Sequence, residues 1–358
     1  MEQAVSWSAA FYDVSHRALR RPWQVALFDL MADVILPLPL SDTWTHEEFH
    51  RAVLANRGVA SFDDVYRFRF APKAIAVSHV RDDRLAQMKR DHPADFVRAH
   101  AAGIEGEHAL VMRLEKQHFF DGATSWNAPL YWLVKVNTIA YIASGSSNDT
   151  NSETEKWERE EGTHISRRDF TGHDFTAWVY DLFRPNEPYA ARGVHPSGVG
   201  IRRYIRESDL TDAERSYLRR QGRLSLINLV DPYLFDYYGG RFNLTASHLL
   251  TPFGYSIDGN VFLRNPKLFV TVHDYVNHER NPPGVDATFD ERFRVALWRQ
   301  PDHLQFRDRG GRLGGLVSAR AHRGKWFAEL EAKSAGWVEG NVHLDKSVSV
   351  RAGFYATP

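Results

Sequence analysis

The order of apolar and polar residues divides the chain into a first part with a helical period and a second part in which apolar and polar residues alternate. In the first part, apolar residues recur three and four positions apart, which gives each predicted helix one apolar face. The predicted helices cover residues 23–36, 44–56, 94–119, 129–143, 170–183 and 209–221. Pro37 and Pro39 end the first helix, because proline lacks the N–H group that a helix interior needs.

Polar residues mark the boundaries of these helices. Ser41, Asp42 and Thr43 are N-cap candidates for the helix at 44–56. Ser208, Asp209 and Thr211 are capping candidates for the helix at 209–221, and Glu214 lies near its start, where the helix dipole favours an acid. Residues 145–162, GSSNDTNSETEKWEREEG, contain few apolar side chains. We interpret them as an exposed polar loop, because such a segment buries too little apolar surface to offset the entropy of ordering.

The second part, residues 236–358, has the period of β-strands. In KLFVTVHDYV, residues Leu268, Val270 and Val272 alternate with the three residues between them, and FRVALWRQ, KWFAELEAK and VSVRAGFYA follow the same rule. Turn signals occur at Asp258-Gly259, 281–284, 309–311 and Arg323-Gly324. The pattern predicts an antiparallel meander of roughly eight strands, so the chain is predicted to be α+β, with a mostly helical domain at 1–235 and a β-domain at 236–358.

Two interpretations of the β-domain remain open. A closed sheet or a sandwich in water would turn Val270, Val295, Leu330 and Val350 towards a core or towards the helical domain. A small membrane barrel would instead turn its apolar face outward, with Trp and Tyr at the borders. Its polar interior would then hold the charged residues of the other face: Arg294, Arg320, Glu329 and Arg351.

The amino-acid composition argues against several classes of function and of metal site. The chain has 45 Lys and Arg and 45 Asp and Glu, so no basic excess indicates a nucleic-acid binder. Cysteine is absent, which excludes disulfides, Fe–S clusters, thiolate zinc sites and a cysteine nucleophile.

No segment predicts a membrane-spanning helix or an export signal. Residues 129–143 are interrupted by Lys135 and Asn137 and are shorter than the ~20 residues of a spanning helix, and the N-terminus lacks the pattern of a signal peptide. We favour a chain that is free in solution or peripheral to a membrane. A location in the cell envelope or outer membrane is the alternative, and it would require a signal peptide that this sequence does not contain.

The strongest chemical motif is the H-E-x-x-H of His46, Glu47 and His50. Histidines four positions apart lie one above the other on a helix, so both imidazoles can bind one Zn²⁺. Glu47 would lie beside the metal, where it can take a proton from the metal-bound water. The motif predicts one zinc ion per chain, with His46 and His50 as ligands and Glu47 as general base.

A third protein ligand must be His, Asp or Glu, and the best segment is AAGIEGEHALVMRLEKQ, in which Gly103 opens a helix that carries Glu105 and Glu107. Together with the first motif, this segment resembles the gluzincin metallopeptidases, whose second helix supplies a glutamate some tens of residues after the first motif. The resemblance implies Glu107 as third ligand, about one turn after Gly103, with Glu105 as the alternative. It also implies a metalloendopeptidase acting on peptides or proteins.

The same residues allow a competing metal site. Glu47 with His50 and Glu105 with His108 are two Glu-x-x-His pairs, as in ferritin-like di-iron proteins, which also need carboxylates from two further helices. Asp29, Asp33 and Glu115 are the available carboxylates.

A non-enzymatic alternative also stays open, namely a membrane-associated β-barrel protein with a helical plug. The residue that stabilises an oxyanion is not determined by the sequence, and the candidates are His164, His173, His195, Tyr180 and Tyr204.

Overall fold

Helices form the first two-thirds of the chain and an antiparallel sheet forms the last third, which confirms the α+β class. A computed structural model describes residues 1–19, 21–35, 38–64, 76–121, 127–231, 240–277, 280–301 and 311–354. It contains two compact units. The first comprises Met1–Leu114 and Ser125–Leu226, and the second comprises Glu115–Thr124 and Ile227–Pro358. The predicted domain boundary near residue 235 lies outside the described residues.

The first unit is built from helices around one apolar core. The helices of the described chain are α1 (Glu2–Ala18), α2 (Pro22–Leu30, continued as a π-helical turn over Met31–Ile35), α3 (Asp42–Asn56), α4 (Asp82–Asp91), α5 (Pro93–Asp121), α6 (Ala128–Ser144), α7 (Asp149–Glu161), α8 (Asp174–Phe183) and α9 (Asp212–Leu224). A two-stranded ladder of β1 (Phe62–Asp63) and β2 (Val77–Ser78) completes it. Phe49 and Val53 of α3, Leu110 of α5 and Val134 of α6 meet in the core.

The local signals for helices at 44–56 and 209–221 are confirmed within a few residues. Thr211 Oγ1 accepts a hydrogen bond from the backbone of Glu214, and Glu214 Oε2 accepts one from the backbone of Thr211 at 2.7 Å. Thr211, one of the three predicted capping candidates, is therefore the N-cap residue, and with Glu214 it forms a capping box. The prediction that Gly103 opens a helix is wrong, because Gly103 lies inside α5. None of the described helices combines the length and the apolar character needed to cross a membrane.

The prediction of an exposed loop at 145–162 is wrong, because most of this segment forms α7. One face of α7 is buried through Thr150, Thr154 and Glu158, although these residues are polar. Arg206 donates to Glu158 Oε2 and, at 3.1 Å, to Glu155. Hydrogen bonds and ion pairs therefore stabilise this helix instead of an apolar face, which is why hydrophobic periodicity missed it.

The second unit contains one antiparallel sheet in which each described strand pairs with its neighbours in sequence. The strands are β3 (Phe242–Thr251), β4 (Gly254–Leu263), β5 (Leu268–Val276), β6 (Pro283–Phe289), β7 (Phe293–Gln300), β8 (Arg312–Arg323), β9 (Trp326–Lys333) and β10 (Ser347–Phe354). The predicted meander is confirmed. The turn predicted at Asp258-Gly259 is wrong: both residues lie inside β4, where Asp258 pairs with Ser247 and His273.

The two faces of the sheet differ in burial. The end of α5 lies against the polar face, where Lys116 Nζ lies 3.9 Å from the centre of the Phe269 ring. On the other face Val295, Leu330 and Val350 are exposed, the last at 77%. The expectation for a sheet in water, that such residues turn towards a core or the helical domain, is therefore wrong for these three.

Candidate metal site

His46, Glu47 and His50 all lie on α3 and are buried. The two imidazole rings are one turn apart on the helix, with ring centroids separated by 4.8 Å. This is the geometry that the motif predicts, since residues four apart project from the same face.

The hydrogen bond of each ring determines which nitrogen can bind a metal. His50 Nδ1 lies 2.5 Å from the carbonyl oxygen of Ala99, which can only accept, so Nδ1 carries the proton. His46 Nδ1 lies 2.8 Å from Glu107 Oε1. With both Nδ1 atoms directed at oxygen acceptors, the Nε2 atoms are the candidate ligand atoms, and this is the usual outer shell of a metal-bound histidine.

Both Nε2 atoms converge on one carboxylate. Asp174 Oδ2 lies 3.2 Å from His46 Nε2 and 3.4 Å from His50 Nε2. Adjacent ligands of a tetrahedral zinc with bonds of ~2.0–2.2 Å are about 3.3–3.6 Å apart. Among the described residues, the one group of three or more His, Asp or Glu whose ligand atoms all lie within 4.8 Å of one another is His46, His50 and Asp174.

Asp174 occupies the first position of α8. Burial alone would raise the pKa of this carboxyl, but the two histidines outweigh burial and hold it well below its usual range. Burial alone would lower the pKa of His46. Its hydrogen bonds with Asp174 and Glu107 outweigh burial and raise that pKa well above its usual range. A site without metal would therefore retain a proton on His46, which a bound cation would replace.

Several further buried acids surround this group. Burial raises the pKa of Glu47 well above its usual range, against the effect of His46. Burial and the charge of Asp174 raise the pKa of Asp169 to about 8. Burial, and after it the charge of Glu107, also raises the pKa of Asp42 well above its usual range. Without a metal these carboxyls therefore favour their protonated, uncharged forms, and a bound divalent cation would favour their ionised forms.

Two glycines of α5 allow α3 to approach closely. A Cβ atom on Gly103 would lie 2.1 Å from His46 Nε2, and one on Gly106 would lie 2.9 Å from the Phe49 ring. Only glycine at position 103 leaves space for the His46 ring, so α5 shapes the site from the opposite side.

The predicted third ligands lie elsewhere. Glu107 contacts His46 Nδ1, on the far side of the ring from Asp174, and Thr138 Oγ1 donates to its other oxygen at 2.5 Å. Glu105 forms a buried pair with Arg98, with atoms 2.7 and 3.0 Å apart. Neither belongs to the group whose ligand atoms converge.

The residues invoked for a two-iron site are dispersed. Asp29 pairs with His16 at 2.6 Å, and Asp33 accepts from the Tyr12 hydroxyl. Glu105 pairs with Arg98 and lies outside the group of His46, His50 and Asp174.

Sequence reasoning missed Asp174 and Tyr141. The Tyr141 hydroxyl donates to Asp174 Oδ2 at 3.1 Å, and its ring centroid lies 5.7 Å from that of His46. The one signal in the sequence was that Asp174 follows His173 at the start of a predicted helix. Acidic residues are common at helix starts because the helix dipole favours them there, so this signal did not indicate a metal ligand.

Four of the five oxyanion candidates named from the sequence have contacts with residues outside the candidate ligand group. The Tyr204 hydroxyl bonds Glu161, the Tyr180 hydroxyl bonds Glu187, and the His173 ring lies against Trp157 with centroids 4.6 Å apart. His195 Nδ1 lies 2.9 Å from Ser197 Oγ. Tyr141, which is partly exposed, contacts both Asp174 and His46.

The chain matches no model of a known protein family, no curated protein and no solved structure.

Proposed function

We propose that this protein is a zinc-dependent hydrolase, with His46, His50 and Asp174 as metal ligands and one zinc ion per chain. The observation that carries the proposal is the convergence of both Nε2 atoms on Asp174 Oδ2 while both Nδ1 atoms bond oxygen acceptors. Three protein ligands leave a fourth position for water or substrate, which distinguishes a catalytic zinc site from a closed structural one.

Glu47 is the proposed general base. Glu47 follows His46 in sequence, and its side chain is buried. Burial raises its pKa, and the charges of His46 and Asp174 also affect that pKa. A bound zinc ion would lower the pKa of its water and polarise a carbonyl group. Glu47 would accept a proton from the attacking water, whose oxygen then bonds to the carbonyl carbon. When the C–N bond breaks, Glu47 would return that proton to the leaving amine.

A peptidase is the specific hydrolase that we propose, because the H-E-x-x-H motif resembles that of the gluzincins. The proposed ligand set departs from that family's pattern, since an aspartate from α8 replaces a glutamate from the second helix. Glu107 takes the role of orienting His46 through its Nδ1–H group. The Tyr141 hydroxyl, which donates to Asp174 Oδ2 in this structure, would be the donor that stabilises an oxyanion near the metal.

The test is metal analysis of the full chain after dialysis against trace zinc, beside activity on casein and on quenched fluorescent peptides. We expect one zinc per chain, hydrolysis that a chelator abolishes, and recovery when zinc is added back. His50→Ala should reduce zinc to background, while the matched control His92→Ala, at an exposed histidine, should retain it.

Two results would overturn the proposal. Full zinc occupancy in His50→Ala would remove this site from consideration. A folded parent protein without bound zinc would leave His46 and Asp174 as a buried ion pair that serves stability alone.

A further inference from the structure

The exposed face of the sheet is apolar from the first strand to the last. Strand register aligns one residue of each described strand in a row that begins at Leu244 on β3, passes through Val270, Val295 and Val317, and ends at Val348 on β10. Every member of this row is Ala, Val or Leu. A shallow, mostly apolar depression lies over the part of this row that β7 to β10 form, lined by residues such as Leu297 and Val317 and with Lys346 at its edge.

The opposite face holds the charged groups. Arg320 donates to Glu329 Oε2 at 2.9 Å, and Arg351 donates to both Glu329 and Glu331 at 3.1 Å. Arg294 bonds Asp286 through two nitrogens. In a sheet with one wet face, the apolar side chains are normally the covered ones, and here the order is reversed.

The extent of the apolar face is limited by charged residues at both ends of the strands. On β8 the residues of this face from Leu313 to Ala321 are uncharged, and at ~3.4 Å per residue they cover about 27 Å. The apolar band of a sheet embedded in lipid is ~25 Å tall. Both borders carry charged residues of both signs. The basic ones are Arg299, Arg312 and Lys346 at one border and Arg323 and Lys325 at the other, and the acidic ones are Asp274 and Asp345 at the first and Asp290 and Glu291 at the second.

We propose that this face, which we call the apolar sheet face, binds the acyl chains of a lipid bilayer, with the exposed lysines and arginines of its borders near anionic headgroups. The central row offers no hydrogen-bond donor or acceptor side chain. A protein partner of comparable area would normally make a hydrogen bond per ~100–200 Å² of interface. Aromatic side chains at one border, among them Phe293, Trp326 and Phe354, are also typical of the lipid–water interface.

The absence of cysteine from the chain makes a site-specific test direct. Val317→Cys and Leu330→Cys would each carry one nitroxide label on the apolar sheet face. Asp212→Cys, at a side chain that is 97% exposed in the first unit, is the control. The full chain is added to vesicles of phosphatidylcholine with or without phosphatidylglycerol. Collisions of the label with oxygen and with a water-soluble nickel chelate are then measured.

We expect the labels at 317 and 330 to become several-fold less accessible to nickel and more accessible to oxygen on addition of vesicles, most strongly with phosphatidylglycerol. The label at 212 should stay accessible to nickel. If the labels at 317 and 330 stay accessible to nickel in the presence of vesicles, the proposal is overturned. The same holds if they are shielded before vesicles are added and light scattering shows a dimer, because the occupant would then be a second copy.

A charge placed on this face gives a second measurement. Val317→Lys should reduce the fraction that floats with anionic vesicles several-fold, because an ammonium group is costly to transfer into hydrocarbon. Val194→Lys changes an exposed valine of the first unit and should float like the parent. Equal flotation of Val317→Lys and the parent would also overturn the proposal. Neither result depends on metal binding or hydrolysis.

Discussion

Gly103 and His46 are in such close contact that a Cβ atom on Gly103 would lie 2.1 Å from His46 Nε2. Alanine normally stabilises a helix interior relative to glycine by ~1 kcal/mol. At this position the added carbon would overlap the ring that we propose as a zinc ligand.

Gly103→Ala should therefore displace His46 and weaken zinc binding by at least about tenfold, measured by competition with a chromogenic chelator. Gly106→Ala is the matched control, because its added carbon would strain the same helix contact at Phe49 without meeting His46. Wild-type affinity in the first variant would contradict the assignment of His46.

Glu47→Gln should keep zinc and lose about 10²- to 10⁴-fold in hydrolysis, because the amide retains the shape of the side chain but cannot accept the proton of the attacking water. Glu48→Gln on the same helix, which alters only the contact with Arg51 at 2.5 Å, should have parental activity. Equal rates for Glu47→Gln and the parent would remove Glu47 from the mechanism.

Asp174→Ala and Glu107→Gln distinguish a ligand from an orienting residue. The first should bring zinc content close to background, since it removes an oxygen that both Nε2 atoms face. The second should lower affinity only about 10- to 100-fold, the usual effect of losing an outer-shell partner. The reverse order of effects would support Glu107 as the third ligand, as predicted from the sequence.

Asp181 should contribute to stability independently of the metal site. Burial raises the pKa of this carboxyl, but Arg192, His100 and Lys89 outweigh burial and hold it far below its usual range. Its stabilising contribution is therefore fully present above the unfolded-state pKa of about 3.9 and is lost as the pH falls below that value.

Asp181→Asn should reduce the free energy of unfolding by about 3–5 kcal/mol at pH 7, because it leaves buried cations uncompensated. The difference from the parent should shrink in acid, as measured by denaturant titration at pH 7 and pH 3. Asp212→Asn, at an exposed carboxylate, is the control. A difference that does not depend on pH would argue against a charge effect.

Short-range rules determined much of the secondary structure. The helix at 44–56 and the cap at Thr211 depend on neighbours within one or two turns, so the sequence predicts the first directly and limits the second to a few candidates. The spacing of His46 and His50 likewise determined that both rings share one face of α3. By contrast, the hydrophobic pattern did not predict α7, because the buried face of this helix is polar and is stabilised by Arg206.

Only the tertiary structure decided which residues meet at the site and which face of the sheet is exposed. Asp174 follows His46 by 128 positions, and no local pattern relates a carboxylate at the start of α8 to a histidine on α3. In the sheet, the alternating pattern puts Val317 and Ser318 on opposite faces, but it does not determine which of the two faces is covered. Both questions depend on how distant segments pack, because contacts between them are selected by the shape and charge of whole elements rather than by sequence spacing.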